Sequence, residues 1–423
     1  MTIWKPIKLK DVCEKITVGH VGSMAAQYKP QGVPFLRSQN INPYKLSLDN
    51  LVYIDEVFNE KLKKSKLVPG DLAIVRTGYP GTAAVIPKSL PVCNCSDLVI
   101  IRPGPRVSAQ YLCYTFNSVF GKNLVGGRLV GAAQQHFNIT TAKELNLNLP
   151  PLLIQRKIAA VLSAYDDLIE NNTRRIAILE KMAEELYREW FVRLRFPGHE
   201  KTKIVKGMPE GWEITKIREV FKTTSGGTPS RQKETEYYGG AINWIKTGEL
   251  KDSFVLSTEE KITEAGLSSS SAKVFPPNTL LMAMYGVNIG QLGIATQPSA
   301  TNQACCAFLP KKLSEYSMYY LFHFLKSIRF HLFNISMGAA QQNLSQDLIQ
   351  RLDYLKPAST LLISFDEIQN SIFSQEMKLL KVNDGLIASR DRLLSRLMSG
   401  KIDLEHLDIH FPPSMREEEL VHA

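Results

Sequence analysis

At 423 residues, with 44% hydrophobic and 22% charged residues, the chain has the composition of ordinary soluble globular domains and the length for two or three of them. Its 51 Lys and Arg against 41 Asp and Glu give a formal charge of +10, which favours a polyanionic partner without requiring one. No apolar run approaches the ~18 residues of a membrane span, the start Met1–Pro6 lacks the apolar core of a signal peptide, and six cysteines without a C-x-x-C pair or matching His spacing argue against a zinc site. Buried thiols in a reducing, cytoplasmic compartment are expected instead.

In chain order, residues 1–150 contain short apolar runs broken by Gly, Pro and Asn, such as Val33–Leu36, Asp71–Val75 and Leu98–Ile101, which read as strands between turns, with a helical stretch at Ser108–Phe120. Residues 151–195 carry no Gly or Pro from Leu152 to about Arg193. Their apolar positions recur at steps of four and three through Ile158, Leu162, Tyr165, Ile169, Asn172, Ile176, Leu179, Ala183, Leu186 and Trp190, a heptad seam. Residues 196–210 are polar, basic and bracketed by Pro and Gly, the composition of a linker. Residues 211–357 return to strand-like runs (Ile242–Ile245, Thr279–Met284) with a helical stretch at Ser314–Phe333. Residues 358–402 form a second heptad helix with Ile372, Leu379, Leu386 and Leu393 seven apart and Ile368 and Val382 on the interleaved rail. The tail, 403–423, with Pro412-Pro413 and an acidic run, is expected to be poorly ordered.

The two halves repeat. Trp4 and the nine residues it opens are echoed from Trp212; Pro69, Leu72 and Gly78 return as Pro277, Leu280 and Gly286; both pairings are offset by 208. Gly131-Ala132-Ala133-Gln134-Gln135 returns unchanged as Gly338-Ala339-Ala340-Gln341-Gln342, and Pro150 as Pro357, offset by 207. This is a tandem duplication, and it predicts an α+β chain of two mixed α/β domains separated by two long helices packed as an antiparallel coiled coil, with pseudo-two-fold symmetry. Such an object suits a partner that is itself two-fold, as duplex DNA is.

No catalytic constellation stands out. There is no G-x-x-x-x-G-K-[ST] phosphate loop. Asn42-Pro43-Tyr44 resembles, with one proline missing, the Asn-Pro-Pro-aromatic motif of DNA amino-methyltransferases and is read as a turn. Asp252 with Glu259-Glu260-Lys261 can be forced into a nuclease-like metal pattern and is read as a solvated face. The residues that the halves share are Gly, Ala, Gln, Pro and apolars, types suited to structure or DNA contact.

Four motifs resemble those of the specificity (S) subunits of type I restriction–modification systems. Leu149-Pro150-Pro151-Leu152-x-x-Gln155-Arg156-x-Ile158 is similar to the lead-in of the family's central spacer helix. Leu179-Glu180-x-Met182 with Leu186-Tyr187-x-x-Trp190-Phe191 is similar to its end. Met208-Pro209-Glu210-Gly211-Trp212 resembles the opening of the second target recognition domain, and Leu394-x-x-Leu397-Met398-Ser399-Gly400-Lys401-Ile402 the C-terminal helix ending. The second helix departs from the pattern, with Leu355–Ser359 lacking the Gln-x-x-Ile lead-in. The resemblance implies a non-catalytic subunit whose two domains each read half of a split DNA site, whose helices set the spacer, and which binds two modification subunits and, with them, restriction subunits. S-adenosylmethionine, ATP and Mg would belong to those partners and none to this chain. The alternatives are a chain that is itself a methyltransferase or nuclease, or a coiled-coil protein adaptor.

Base readout draws on Arg for guanine and Asn or Gln for adenine. The expected DNA contacts are Arg37, Arg76, Arg128, Gln134 and Gln135 in the first half and Lys246, Asn288, Gln341 and Gln342 in the second. Tyr187, Trp190 and Phe191, large aromatics at a helix end, are the expected anchors for a modification subunit, or else pack against the neighbouring domain.

Overall fold

The structure is a computed structural model that describes residues 4–127, 136–313, 316–337 and 343–416. It divides into two compact units, Met1–Asn171 with Asn383–Ala423, and Asn172–Val382. Each unit holds one globular head and the adjoining halves of two long helices, Leu152–Tyr187 and Ser359–Met398.

In the first unit a four-stranded antiparallel sheet runs in the order Cys13–Val18, Leu98–Pro103, Leu72–Val75, Ala83–Val85. Its central strands are continuous apolar runs because both faces are covered. Alternate residues point to opposite faces. Leu72, Ile74, Val99 and Ile101 pack on Leu112 and Phe116 of the helix Ala109–Asn117. Ala73, Val75, Leu98 and Ile100 pack on Leu36, Ile41 and Cys95 behind the sheet. A smaller sheet orders Val52–Ile54, Val33–Leu36 and Asn94–Cys95. Asn42-Pro43-Tyr44 is the turn of a two-residue hairpin, Ile41–Asn42 with Lys45–Leu46, with Tyr44 at φ 71°. The methyltransferase-like motif is therefore a turn.

The second unit repeats this plan and extends it. Its main sheet orders Phe221–Ser225, Cys305–Pro310, Leu280–Ala283 and Leu292–Ala295, then adds Ser253–Val255 at the edge, parallel to its neighbour. The second sheet orders Lys261–Ile262, Tyr238–Ile245, Ser299–Thr301 and Val274–Phe275. Correspondence reaches single bonds. Tyr111 donates to the Asn148 carbonyl and Tyr320 to that of Leu355, both reaching from a head helix to the strand that leads into a long helix. Residues 196–210, expected as a plain linker, are structured. Ile204–Val205 pairs with Met208–Pro209 across Lys206-Gly207, both at positive φ, and Phe196 packs on Trp212 with ring centroids 5.4 Å apart.

The helices run antiparallel within each unit. In the first, Ile158 and Leu162 near the start of one helix pack with Leu394 and Leu397 near the end of the other. In the second, Gln369 near the start of the later helix donates to the Ala183 carbonyl near the end of the earlier one, at 3.0 Å. The earlier helix keeps its predicted seam, with Ile158, Leu162, Asn172, Ile176, Ala183 and Trp190 buried. In the later helix one rail holds, with Ile372 buried, but Ile368 and Val382 are 43% and 50% exposed. The interleaved rail is instead Gln369, Glu376, Asn383 and Arg390, all buried and seven apart. The tail also corrects its expectation as far as it is described. Leu404 and Met415 are buried, and Lys157 Nζ donates to the carbonyls of Leu404, Glu405 and Leu407 at 3.0, 2.9 and 2.7 Å.

Candidate nucleic-acid interface

One end of each head gathers the described polar side chains singled out by the sequence. In the first unit it is built from the turn 76–82 between two main-sheet strands, the exit of strand Val33–Leu36, the turn at Ser96-Asp97, and His20 and His136. Backbone bonds lock these segments together: Ser96 N–H to Leu36 O (3.1 Å), Asp97 N–H to His20 O (3.1 Å) and Phe137 N–H to Arg76 O (3.1 Å). Arg76 Nη1 donates to Asp97 Oδ1 at 2.9 Å and Nε to the Phe137 carbonyl at 3.3 Å. Thr77 Oγ1 lies 3.0 Å from His136 Nδ1. Arg37 begins a short 3-10 turn in which its N–H donates to Asn40 Oδ1 (3.0 Å). Its guanidinium donates to the Asn50 carbonyl at 2.6 Å and stands 5.6 Å from the Tyr28 ring, while its Nε is buried without a hydrogen bond.

The second unit builds the same end from corresponding segments. Asn302 N–H donates to Ile245 O (3.0 Å) as Ser96 does to Leu36, and Leu344 N–H to Met284 O (2.9 Å) as Phe137 does to Arg76. Lys246 therefore occupies the place of Arg37, and its N–H donates to Glu249 Oε2 (2.7 Å) as that of Arg37 does to Asn40. Lys246 Nζ is held by Glu259 (2.8 Å) and Glu260 (2.9 Å). Arg231 shares Glu260 and lies 4.0 Å from the Tyr238 ring centre. Hydrogen bonds from Arg231 and Lys246 hold the Glu260 carboxyl down at about 2, well below its ordinary range. Asn288 Nδ2 reaches the Thr247 carbonyl at 3.4 Å.

These carboxylates are each paired with a cationic side chain. Asp252 pairs with Arg329, Glu259 and Glu260 with Lys246, and among the described residues no three His, Cys, Asp or Glu converge to hold an ion. All six cysteines are free, and burial pushes the Cys93 and Cys305 thiols up to about 12, so neither is a nucleophile at neutral pH.

The family profile described as the type I restriction modification DNA specificity domain matches residues 1–181 and again 209–353. The chain belongs to that family. It is 23% identical over 421 residues to the type I restriction enzyme MjaIX specificity subunit of Methanocaldococcus jannaschii, covering 96% of this chain and 94% of that one. It is 23% identical over 325 residues to the HindI specificity subunit of Haemophilus influenzae, covering 62% and 70%. The S subunit of a type I restriction–modification system from M. genitalium shares the fold, with a TM-score of 0.58 at 16% identity over 93% of this chain and 96% of that chain. As a specificity subunit the chain is a non-catalytic member of its system, and each of the two matched regions contains one of its heads.

Of the residues singled out in this specificity subunit, Arg37, Arg76, Lys246 and Asn288 stand at the ends just described. Arg128, Gln134, Gln135, Gln341 and Gln342 lie outside the described residues. His136 and Asn343, the residues that follow the two repeated segments, do stand at these ends, Asn343 bridged to Tyr285. The three aromatics expected to anchor a partner are a correction. Tyr187, Trp190 and Phe191 are 5%, 6% and 4% exposed. Phe191 packs against Phe365 and Tyr320 at 4.9 and 4.7 Å, Trp190 against Phe365 at 5.7 Å, and Tyr187 stacks on His323 at 5.5 Å. They are the core of the second unit and offer almost no surface to another chain. The sequence reading also missed the tips of the main-sheet turns, Tyr79 and Val287. The signal available was a large apolar residue between glycines in a position that can only be a turn.

Proposed function

We propose that this specificity subunit is the DNA reader and assembly scaffold of a type I restriction–modification complex, each head reading one half of a split site. The observation that carries the proposal is the recurrence, in both heads, of one construction: donor side chains from corresponding segments, Arg37 and Arg76 in one and Lys246 and Asn288 in the other, set on a rigid sheet end beside the residue that follows a repeated Gly-Ala-Ala-Gln-Gln segment. Direct readout needs such donors held on a scaffold, and two copies in one chain suit two half-sites. The paired helices set the unspecified gap. At ~1.5 Å per residue the 36 and 40 residues span ~54 and ~60 Å, more than the ~34 Å of one duplex turn. The formal charge of +10 supports phosphate contact.

In this reading two modification subunits bind the chain, carry S-adenosylmethionine and methylate adenine extruded from the duplex. Restriction subunits join them and use ATP and Mg to cleave unmethylated DNA in the cytoplasm. No helix among the described residues is long and apolar enough to cross a membrane. Partner contacts fall on the exposed faces of the long helices and the adjoining heads, since the aromatic helix end is buried. The test is co-expression with the modification subunit in a host free of adenine methylation, followed by mapping of methylated adenines. Two short defined sequences around a fixed gap are expected. A continuous motif would remove the ruler, and no methylation from a folded, assembled complex would overturn the reader.

A further inference from the structure

Among the described residues, the two most exposed large apolar or aromatic side chains are Val287, 99% exposed, and Tyr79, 83% exposed. They occupy the same place in the two heads. Each sits at the tip of the turn joining the central main-sheet strand to its antiparallel neighbour, Leu72–Val75 to Ala83–Val85 and Leu280–Ala283 to Leu292–Ala295. A single exposed apolar side chain needs no explanation. The two extremes among the described residues falling on one position of a duplicated turn do.

The turn is built to present that residue. Gly78 and Gly81 in one, Gly286 and Gly290 in the other, all have positive φ (88°, 90°, 73° and 76°), a conformation costly for other residues. The base is locked by matching bonds, Gly81 N–H to Val75 O at 3.0 Å and Gly290 N–H to Ala283 O at 2.9 Å. It is also braced by a neighbour, Val125 against Gly81 and Arg329 against Gly290. Above the base, a Cβ added at Gly78 or Gly286 would meet nothing within 4 Å. Thus a rigid stem holds one apolar side chain out into solvent. At the foot stand Arg76 and Thr77 in one head and Asn288 in the other, with His136 and Asn343 alongside.

We infer that Tyr79 and Val287 are the apolar base contacts of the two half-sites, and that the difference between them is one reason the half-sites differ. This rests on the reading that each head reads one half-site. Apolar side chains contact the thymine methyl group in the major groove, and an aromatic ring can also stack on an unpaired or unstacked base. The repeated Gly-Ala-Ala-Gln-Gln segments are identical and cannot discriminate the halves. A position whose frame is kept while its side chain changes from an aromatic with a hydroxyl to a small aliphatic can.

The test uses the full chain assembled with its modification subunits, as wild type, Tyr79→Ser, Tyr79→Phe and Val287→Ser. Methylated adenines are mapped, and affinity is measured for the mapped duplex and for an unrelated duplex. Both side chains lie in solvent, so the variants keep their melting temperature. Tyr79→Ser relaxes one base position in one half-site and weakens specific binding ~10-fold, the size of one lost base contact, while Tyr79→Phe retains both. Val287→Ser does the same in the other half-site, and the gap between halves is unchanged. If both serine variants keep the wild-type motif and affinity, the assignment falls and the half-site reading stands. It also falls if specific and unrelated duplexes weaken equally, or if the modification subunit is lost from the complex. A wild-type complex without a split motif would instead overturn the half-site reading itself, and this inference with it.

Discussion

The two units fasten a similar head to the helix pair by different chemistry. In the first the join is polar and charged. Arg390 Nη1 donates to Asp166 Oδ1 at 2.6 Å, Tyr114 donates to the other oxygen of Asp166 and lies 3.2 Å from Ser163 Oγ, and the guanidinium stands 4.4 Å from the Tyr44 ring. Buried Gln155 completes it, accepting from Ser108 N–H at 3.0 Å and donating to the carbonyls of Arg106 and Pro150 at 3.1 and 2.9 Å. In the second unit the place of Tyr114 is taken by His323, which is packed among Tyr187, Phe322, Phe365 and Phe373 with neither ring nitrogen hydrogen-bonded. Asp366 there accepts from the Ser317 hydroxyl, and burial raises its carboxyl to about 6. The same backbone plan therefore tolerates a charged lock and an aromatic plug, because what a duplication must preserve is the geometry of the join and not its residue types.

The largest effect is expected where the charged lock is broken. Arg390→Ala leaves the half-buried Asp166 and its buried Tyr114 partner without a cation, and denaturant unfolding should show a loss of about 2–3 kcal/mol. A loss under 1 kcal/mol would mean that the first unit does not depend on the pair.

The next concerns Glu376, on the buried polar rail of the later helix in the second unit. Burial pushes its carboxyl up to about 7, against a hydrogen bond from Ser253 Oγ at 2.7 Å that favours the charged form. Its unfolded value is 4.5, so the folded chain holds a proton that the unfolded chain has released. Stability is thus lost as pH rises from 4.5 to about 7 and stays lower above. Glu376→Gln, which keeps an acceptor for Ser253, should add roughly 1–3 kcal/mol at pH 8 and almost nothing at pH 4. Thermal melts at the two pH values check the sign.

The smallest effect belongs to His323. Desolvation, and after it the positive charge of Lys326, lowers its imidazole from 6.5 to about 3. Below pH 6.5 the unfolded chain takes up a proton that the folded chain refuses, so stability falls with pH through that window. His323→Phe removes two buried unpaired nitrogens and should add about 1 kcal/mol at pH 7, with the gain growing toward pH 5. An unchanged melting curve at pH 5 would show that water or a shifted Gln369 satisfies the ring.

What could be read in advance was what local pattern encodes. Continuous apolar runs such as Leu72–Val75 and Leu280–Ala283 became central strands, and the Gly- and Pro-free stretch from Leu152 became a helix. The polar rail escaped because burial of Gln369, Glu376, Asn383 and Arg390 is decided across the fold. Ser253 lies 123 residues from Glu376, and Asp166 lies 224 from Arg390. With one rail polar, Ile368 and Val382 were the nearest apolar residues and drew the seam one position off. The equivalence of Arg37 and Lys246 escaped for a related reason. Their types differ and their spacing is 209, so only matching hydrogen bonds reveal that one frame holds both.

By itself, then, the sequence determined that this chain is a duplication of a mixed α/β head and a heptad helix, because repeats, turn residues and hydrophobic periodicity are local properties. The tertiary structure decided which side chains face one another. It turned Tyr187, Trp190 and Phe191 from a docking surface into a core, placed four polar residues on a buried rail, and held Tyr79 and Val287 in solvent. Those outcomes depend on desolvation and pairing between segments far apart in the chain, and no window of sequence contains both members of such a pair.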